Sequence, residues 1–310
     1  MGEADYTSAP VAPPKIAVFG VPSAAGARGP GMERAAFALR EAGLLQTLSR
    51  HARVVNLSDL SLFPWRADPE HPQGRNAAVA ACAARAAGDE ITRALQEGFT
   101  MVIGGDCSLL PGVLGGARRA KGRAVGLVHV DANADLNTPD TTPSGQLDGM
   151  ALALALGRGL PELTGAGGPP PAARPEHVAL VGFRELDPGE VKPSRELALA
   201  LTAEDVRARG ARLAAEQALE AIDNDQGPIF VHFDVDVLDP EAMPAKDGLT
   251  PGRGLLWDEA QTLLATLVRS PRVVGMEVCE FNPAKDAGGE AARRLVALLD
   301  QLVAARVSPA

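Results

Sequence analysis

Four places in the chain gather side chains capable of chemistry, and each one closes a short apolar run. Gly104-Gly105-Asp106-Cys107-Ser108 follows residues 100–103, and Asp131-Ala132-Asn133-Ala134-Asp135 follows 125–130. Asp234-Val235-Asp236-Val237-Leu238-Asp239-Pro240 follows 228–233, and Glu277 falls at the end of 272–278. A single Asp in such a place reads most simply as a turn former or a helix N-cap. Two clusters of paired acids at separate strand ends do not, because each desolvated carboxylate is costly alone and neighbours of like charge repel. Divalent cations resolve the conflict, since hard ions take carboxylate oxygens, and the chemistry they bring is hydrolysis by water of lowered pKa.

To bring these residues together the chain must place several strand ends side by side. Residues 15–20, 53–57, 100–103, 125–130, 177–181, 228–233 and 272–278 read as strands. Residues 33–48, 76–95 and 289–305 read as helices, the last with Ala291, Leu295, Leu298, Leu299, Leu302 and Val303 on one face. Continuous apolar strands separated by helical patterns predict a parallel sheet buried on both faces, a three-layer, doubly wound α/β/α architecture. In such sheets ligands bind at the carboxyl ends of the strands, where the acids fall. There is no internal repeat and no dividing linker. The Gly/Pro/Ala stretch 164–175 reads as a surface loop, and residues 15–310 as one domain behind a loose tail, 1–14.

Composition narrows the function classes. With 310 residues, 46% hydrophobic and 22% charged, the chain can bury a sizeable core. No apolar run approaches the roughly 18 residues of a membrane span, and the polar, Pro-rich N-terminus does not resemble a secretory signal. Thirty basic residues against 39 acidic give a net charge of -9, without the basic stripe a nucleic-acid partner requires. Cys82, Cys107 and Cys279 form no disulfide framework and no CxxC pair, which predicts a reducing cytoplasm.

From about Lys15 to its end the chain resembles the ureohydrolases, arginase and agmatinase among them. The family's GGDHS corresponds to Gly104-Gly105-Asp106-Cys107-Ser108, its DAHxD to Asp131-Ala132-Asn133-Ala134-Asp135, and its FDVDxLDP to Phe233 through Pro240 intact. Leu136-Asn137-Thr138-Pro139 through Ser144-Gly145 and the loop Phe183-Arg184-Glu185-Leu186-Asp187-Pro188-Gly189-Glu190 are similar to arginase segments that meet the amino-acid headgroup. The resemblance implies a two-manganese site whose bridging hydroxide attacks a guanidinium carbon, and assembly as a trimer or hexamer. It implies further that Asp131 and Asp234 bridge the ions, that Asp135 serves one and Asp236 the other, and that Glu277 holds the guanidinium. Asn137 and Ser144 match groups near the substrate carboxylate, and Asp187 the one near the α-amine.

The departures are chemical. Cys107 and Asn133 stand where the family supplies two histidine ligands, and Asp148 stands where arginases carry a third histidine; Gln146 replaces the usual Asn, and Lys246-Asp247-Gly248-Leu249-Thr250-Pro251 does not align with the family's TGTP segment. A Cys107 thiolate could bind a metal and would favour zinc or iron(II) over manganese; otherwise it is an inert buried thiol. Asn133 could offer an amide oxygen, or be a turn residue in left-handed geometry. Asp148 could move a proton if burial raises its pKa, or cap a helix. His129 and His232 each lie two residues before a proposed bridging Asp, on the same strand face one step deeper. There they would orient the carboxylates from behind or act as core residues, without reaching the ions.

Taken together, these residues predict a hydrolase with two divalent ions that cleaves an arginine-like amino acid, with Asp135, Asp148 and Glu277 as the catalytic acids. The substrate the resemblance implies is arginine or Nω-hydroxy-arginine, giving ornithine and urea or hydroxyurea. The alternative is a metal-poor relative that binds an amino acid or a partner subunit and catalyses nothing.

Overall fold

Eight strands, every neighbouring pair parallel, form one sheet in the order β2-β1-β3-β8-β7-β4-β5-β6. The strands are β1 (Lys15–Gly20), β2 (Arg53–Asn56), β3 (Phe99–Ile103), β4 (Gly126–Val130), β5 (Val178–Phe183), β6 (Leu199–Thr202), β7 (Ile229–Asp234) and β8 (Val273–Cys279). The computed structural model describes residues 13–222, 224–246 and 253–308, so most of the N-terminal tail, and the 246–251 stretch beyond Lys246, lie outside the described residues. No helix among the described residues is long and apolar enough to cross a membrane.

The chain builds one edge with β1 to β3, leaps to lay down β4 to β6 at the other, and returns to fill the gap with β7 and β8. The leap between β3 and β4 is the topological switch, and the crevice above it opens over the carboxyl ends of β3, β8, β7 and β4. All the acid-bearing motifs lie on those four strands or the turns that follow them. Helices cover both faces. Ala203–Arg209, Ala211–Ala221, Trp257–Arg269 and Glu290–Val307 pack on one side with Val128, Val130, Val231 and Phe233. Ala77–Ala94 and Leu110–Lys121 pack on the other with Ala17, Phe19, Val102, Leu127 and Phe230.

The helix expected over 33–48 is two pieces, Ala35–Glu41 and Leu44–Leu48. Gly43 between them has φ 90°, a left-handed conformation that ends the first helix and restarts the phase, so that Leu44 and Leu48 still reach the core.

A second glycine is fixed by close approach. A Cβ on Gly105 would lie 1.5 Å from the carbonyl oxygen of Ser23, and the Gly105 carbonyl accepts a hydrogen bond from the Glu280 amide at 2.8 Å. The turn after β3 is thereby pressed between two other segments of the crevice. Gly105→Ala must displace backbone, and we expect it to destabilise the protein by about 1–3 kcal/mol, read from the shift of the denaturation midpoint at constant m.

Candidate metal centre

Strand register builds the floor of the crevice. His129 pairs with His232 across β4 and β7, and His232 pairs with Glu277 across β7 and β8, giving a polar row through the middle of an apolar sheet. The next row on the same face holds Asp234, paired with Cys279, and Asp131, the residue just past β4. All six side chains are buried. The two imidazoles stack, with centroids 4.4 Å apart and planes 6° from parallel, and His232 Nδ1 lies 2.7 Å from Glu277 Oε1.

Each bridging-type Asp is aimed by its own turn. Asp131 Oδ1 accepts the Asn133 amide at 2.6 Å, and Asp234 Oδ1 accepts the Asp236 amide at 2.6 Å. One oxygen of each carboxylate therefore caps the turn; of the others, Asp131 Oδ2 lies 3.1 Å from His129 Nε2 and Asp234 Oδ2 accepts the Cys107 thiol at 3.2 Å. Asp131 Oδ2 and Asp135 Oδ2 are buried without a hydrogen-bond partner among the described residues, as are both ring nitrogens of His129 and Glu277 Oε2. Oxygens of Asp131, Asp234 and Asp236 lie within 4.8 Å of one another, and Cys107 Sγ lies as close to Asp131 with Asp135, and to Asp234 with Glu280. Buried polar atoms left unpaired are expensive, and oxygens of this kind converging on one space fit divalent cations. Asp135 and Glu280 carry φ of 53° and 66°, left-handed conformations that non-glycine residues adopt at some cost.

The electrostatics point the same way. Above the floor is a cavity of about 410 Å³ whose lining includes Asp135, Asp148, Glu185, Asp187, Glu190, Asp234, Asp236 and Glu280 and, among the described residues, no lysine, arginine or histidine. Burial, joined by the repulsion of neighbouring carboxylates, pushes Asp135, Asp234 and Glu280 well above the usual range. The same causes raise Asp236 to about 6 and Asp148 to about 8. Asp131 also suffers burial, but the imidazoles of His129 and His232 and the Asn133 amide outweigh it and hold that carboxyl low. Burial, with Cys279 and Asp234 nearby, pushes the Cys107 thiol well up. Two cations attend from behind: the fully buried Lys246 and the half-buried Arg184 each donate to the Asp236 carbonyl, both at 2.6 Å.

The structure brings Cys107, Asn133, Asp135, Asp234 and Asp236 into one cavity wall, with Asp131 beneath them. Asn133 is exposed at the rim, and its amide nitrogen donates to Asp236 Oδ2 at 2.9 Å, so what it turns toward the acids is a donor; its φ is not left-handed. Asp148 is the first residue of a short helical turn capped by Leu147, so it is no N-cap; its Oδ1 accepts the next amide, from Gly149.

The headgroup residues also meet. Asn137 Nδ2 donates to Asp187 Oδ2 at 2.8 Å, and Ser144 lines the same cavity. Glu190 joins their loops, accepting the Leu136 amide on Oε1 and the Asp187 amide on Oε2, both at 2.9 Å. Sequence reasoning assigned that residue no role.

Glu277 departs from its expected place. β8 continues to Cys279, so Glu277 lies two residues inside the strand, bound to His232 and absent from the cavity lining. Glu280, the first residue beyond the strand, occupies the wall instead, with Oε1 accepting the Cys107 amide at 3.1 Å. The signal for it was the strand-end rule itself, applied with a boundary set one residue short.

Comparison with known proteins follows from this geometry. The family model described as the arginase family matches residues 14–304. An arginase of Bacillus caldovelox is 33% identical over 294 residues, spanning 93% of this chain and 97% of the relative. The solved structure of the B. caldovelox arginase superposes with a TM-score of 0.85 at 32% identity, covering 94% of this chain and 98% of that one. An Entamoeba histolytica arginase solved with L-ornithine gives a TM-score of 0.84 at 25% identity, covering 94% and 99%.

The raised acids fix the sign of a pH dependence. In the metal-free protein they retain protons that the unfolded chain releases just above pH 3.8, so the folded state binds more protons and stability falls as pH rises from there through about 8. We expect the melting temperature of chelator-treated protein to drop by a few °C, roughly, between pH 5 and 8, a modest figure because solvent reaches part of Asp148. Asp148→Asn should flatten the upper half of that slope in a thermal scan.

Proposed function

The chain belongs to the arginase family, and from that premise we propose that it hydrolyses the guanidino C–N bond of an arginine-like α-amino acid with two divalent ions bound. The observation that carries this reading is a cavity walled by carboxylates, with no basic side chain in its lining among the described residues, over buried oxygens that no described residue pairs. Cys107, Asp131, Asp135, Asp234 and Asp236 would hold the ions, manganese by their oxygens and zinc or iron(II) if the Cys107 thiolate takes part. Bound ions supply positive charge among these acids and lower the pKa of water.

The chain's other groups bind and orient. Glu280, at the end of β8 and locked by the Cys107 amide, is the carboxylate set to hold a planar cation by charge-assisted hydrogen bonds. Asn137, Ser144 and Asp187 stand at the rim for the α-amino acid headgroup, and Glu190 keeps their loops in register. Asp148, a carboxyl in the same cavity wall that burial disposes to hold a proton, is the group placed to give one to the departing amine.

Within this class the substrate we favour is Nω-hydroxy-arginine, yielding hydroxyurea and ornithine. A hydroxyguanidine is less basic than a guanidinium, so its neutral and more electrophilic form is easier to reach. As a family member the protein is proposed to act as a homo-oligomer in the cytoplasm. The alternative of a metal-poor amino-acid binder draws on one observation, the Asn133 amide turned donor-first toward Asp236.

Product assays with arginine and Nω-hydroxy-arginine, each with manganese, zinc or iron(II), test the proposal. Ornithine release is expected, faster from the hydroxylated substrate, and Asp234→Ala should abolish both turnover and bound metal. Glu280→Gln is expected to lower kcat/KM by about 100-fold, the loss of one charged pairing. Stoichiometric metal without ornithine from either substrate would refute the catalytic reading, and no bound metal would favour the binder.

A further inference from the structure

The stacked imidazoles beneath the acids are the least explained feature of the crevice. His129 is fully buried and neither ring nitrogen has a hydrogen-bond partner. Its Nε2 lies 3.1 Å from Asp131 Oδ2, too far out of line for a hydrogen bond, and 3.6 Å from Asp135 Oδ2, and both oxygens are themselves unpaired. His232 is held differently. Its Nδ1 lies 2.7 Å from Glu277 Oε1, and the tautomer that places the proton there leaves the Nε2 lone pair facing Cys107 Sγ at 3.3 Å and Asp131 Oδ2 at 3.9 Å. A carboxylate behind one ring nitrogen, with the other aimed into a group of anionic donors, is the arrangement that fixes the tautomer of a metal-bound histidine.

We propose that His129 and His232 bind the divalent cations directly through Nε2, His232 with Cys107, Asp131 and Asp234, and His129 with Asp131 and Asp135. The inference rests on the metal-centre reading above and adds to it the nitrogen ligands. Zinc bonds of about 2.0–2.3 Å in tetrahedral geometry set ligand atoms roughly 3.3–3.7 Å apart. The sulfur–nitrogen separation of 3.3 Å, the Cys107 Sγ to Asp234 Oδ2 separation of 3.2 Å and the 3.1–3.9 Å nitrogen–oxygen separations lie within a few tenths of that range. The imidazoles that the motif positions 107 and 133 lack are thus supplied from the strands beneath. Glu277 orients His232, which accounts for a buried acid that never reaches the cavity. A donor set of sulfur, nitrogen and oxygen favours zinc over manganese.

The chain has five histidines, and His51, His71 and His177 lie away from the crevice lining and from the floor row. Any imidazole on a bound ion must therefore come from the floor. Zinc-loaded, dialysed full-length protein is examined by elemental analysis and zinc-edge X-ray absorption. Imidazole scattering with a sulfur shell near 2.3 Å is the expected result. His129→Phe and His232→Phe should each weaken zinc binding by more than the roughly 10–100-fold that loss of an orienting neighbour costs, and Glu277→Gln should fall inside that range. Stoichiometric zinc with oxygen and sulfur scattering alone, or unchanged affinity in both His variants, would overturn the assignment and leave the acidic centre standing. Failure of the wild-type protein to retain zinc, manganese or iron(II) would overturn the centre and the assignment together. The absorption measurement needs no variant to fold.

Discussion

Carboxylates crowded and mostly buried in one crevice, where each ion loses several kcal/mol of hydration, form the constraint on which this structure turns. The sheet topology creates the crevice, and the turns after β4 and β7 sharpen the problem by spending one oxygen of Asp131 and one of Asp234 on their own backbone amides. What remains is Asp234 Oδ2, met only by the Cys107 thiol, and Asp131 Oδ2 and Asp135 Oδ2, buried with no hydrogen-bond donor among the described residues. Lys246 shows how far the fold goes toward compensation. A fully buried ammonium is placed against the backbone of Asp236, near enough to oppose the rise of that carboxyl without pairing with its oxygens, which accept from Ala132 and Asn133 instead. The acids are left under-compensated by protein, which is the condition under which a small, highly charged ligand binds best.

Much of this was legible in the chain. The strand runs and the acids after them located the crevice, because an apolar run that ends in Asp clusters carries both its burial and its function in one stretch. Residues 107, 131, 133, 135, 234 and 236 fell together, as their spacing on parallel strands required. Glu277 was the instructive failure. The period of two along a strand means that an error of one residue at the boundary exchanges faces, and an error over the last turn of strand exchanges a floor residue for a wall residue. Glu280 was hidden because its left-handed φ belongs to the loop, and nothing in Cys279-Glu280-Phe281 announces such a bend. Glu190 was illegible for another reason: it works through two backbone amides, which sequence does not display.

The pairing of His129 with His232 was accessible in principle, since both precede their acids by two residues. Register alone made it a contact. Adjacent parallel strands can slide by two residues without changing which face is buried, so the sequence put both imidazoles on the correct face without saying that they would stack. The structure gives that stack a height, one row below the acids, and a partner in Glu277 across the next strand.

Moving a nitrogen ligand from a turn to a strand changes more than its address. A strand residue is held by hydrogen bonds on both sides and by core packing, so its donor atom is fixed before any ion arrives. The turn positions it vacates are then free to be small or polar: Cys107 stays compact under the wall, and Asn133 sits exposed at the rim with a donor to offer. The cavity's upper part loses two bulky rings and keeps its acids. A centre arranged this way holds its ions from below and presents an anionic, hydrogen-bonding chamber above, which is the division of labour that a cationic substrate with a polar substituent on its guanidine would require.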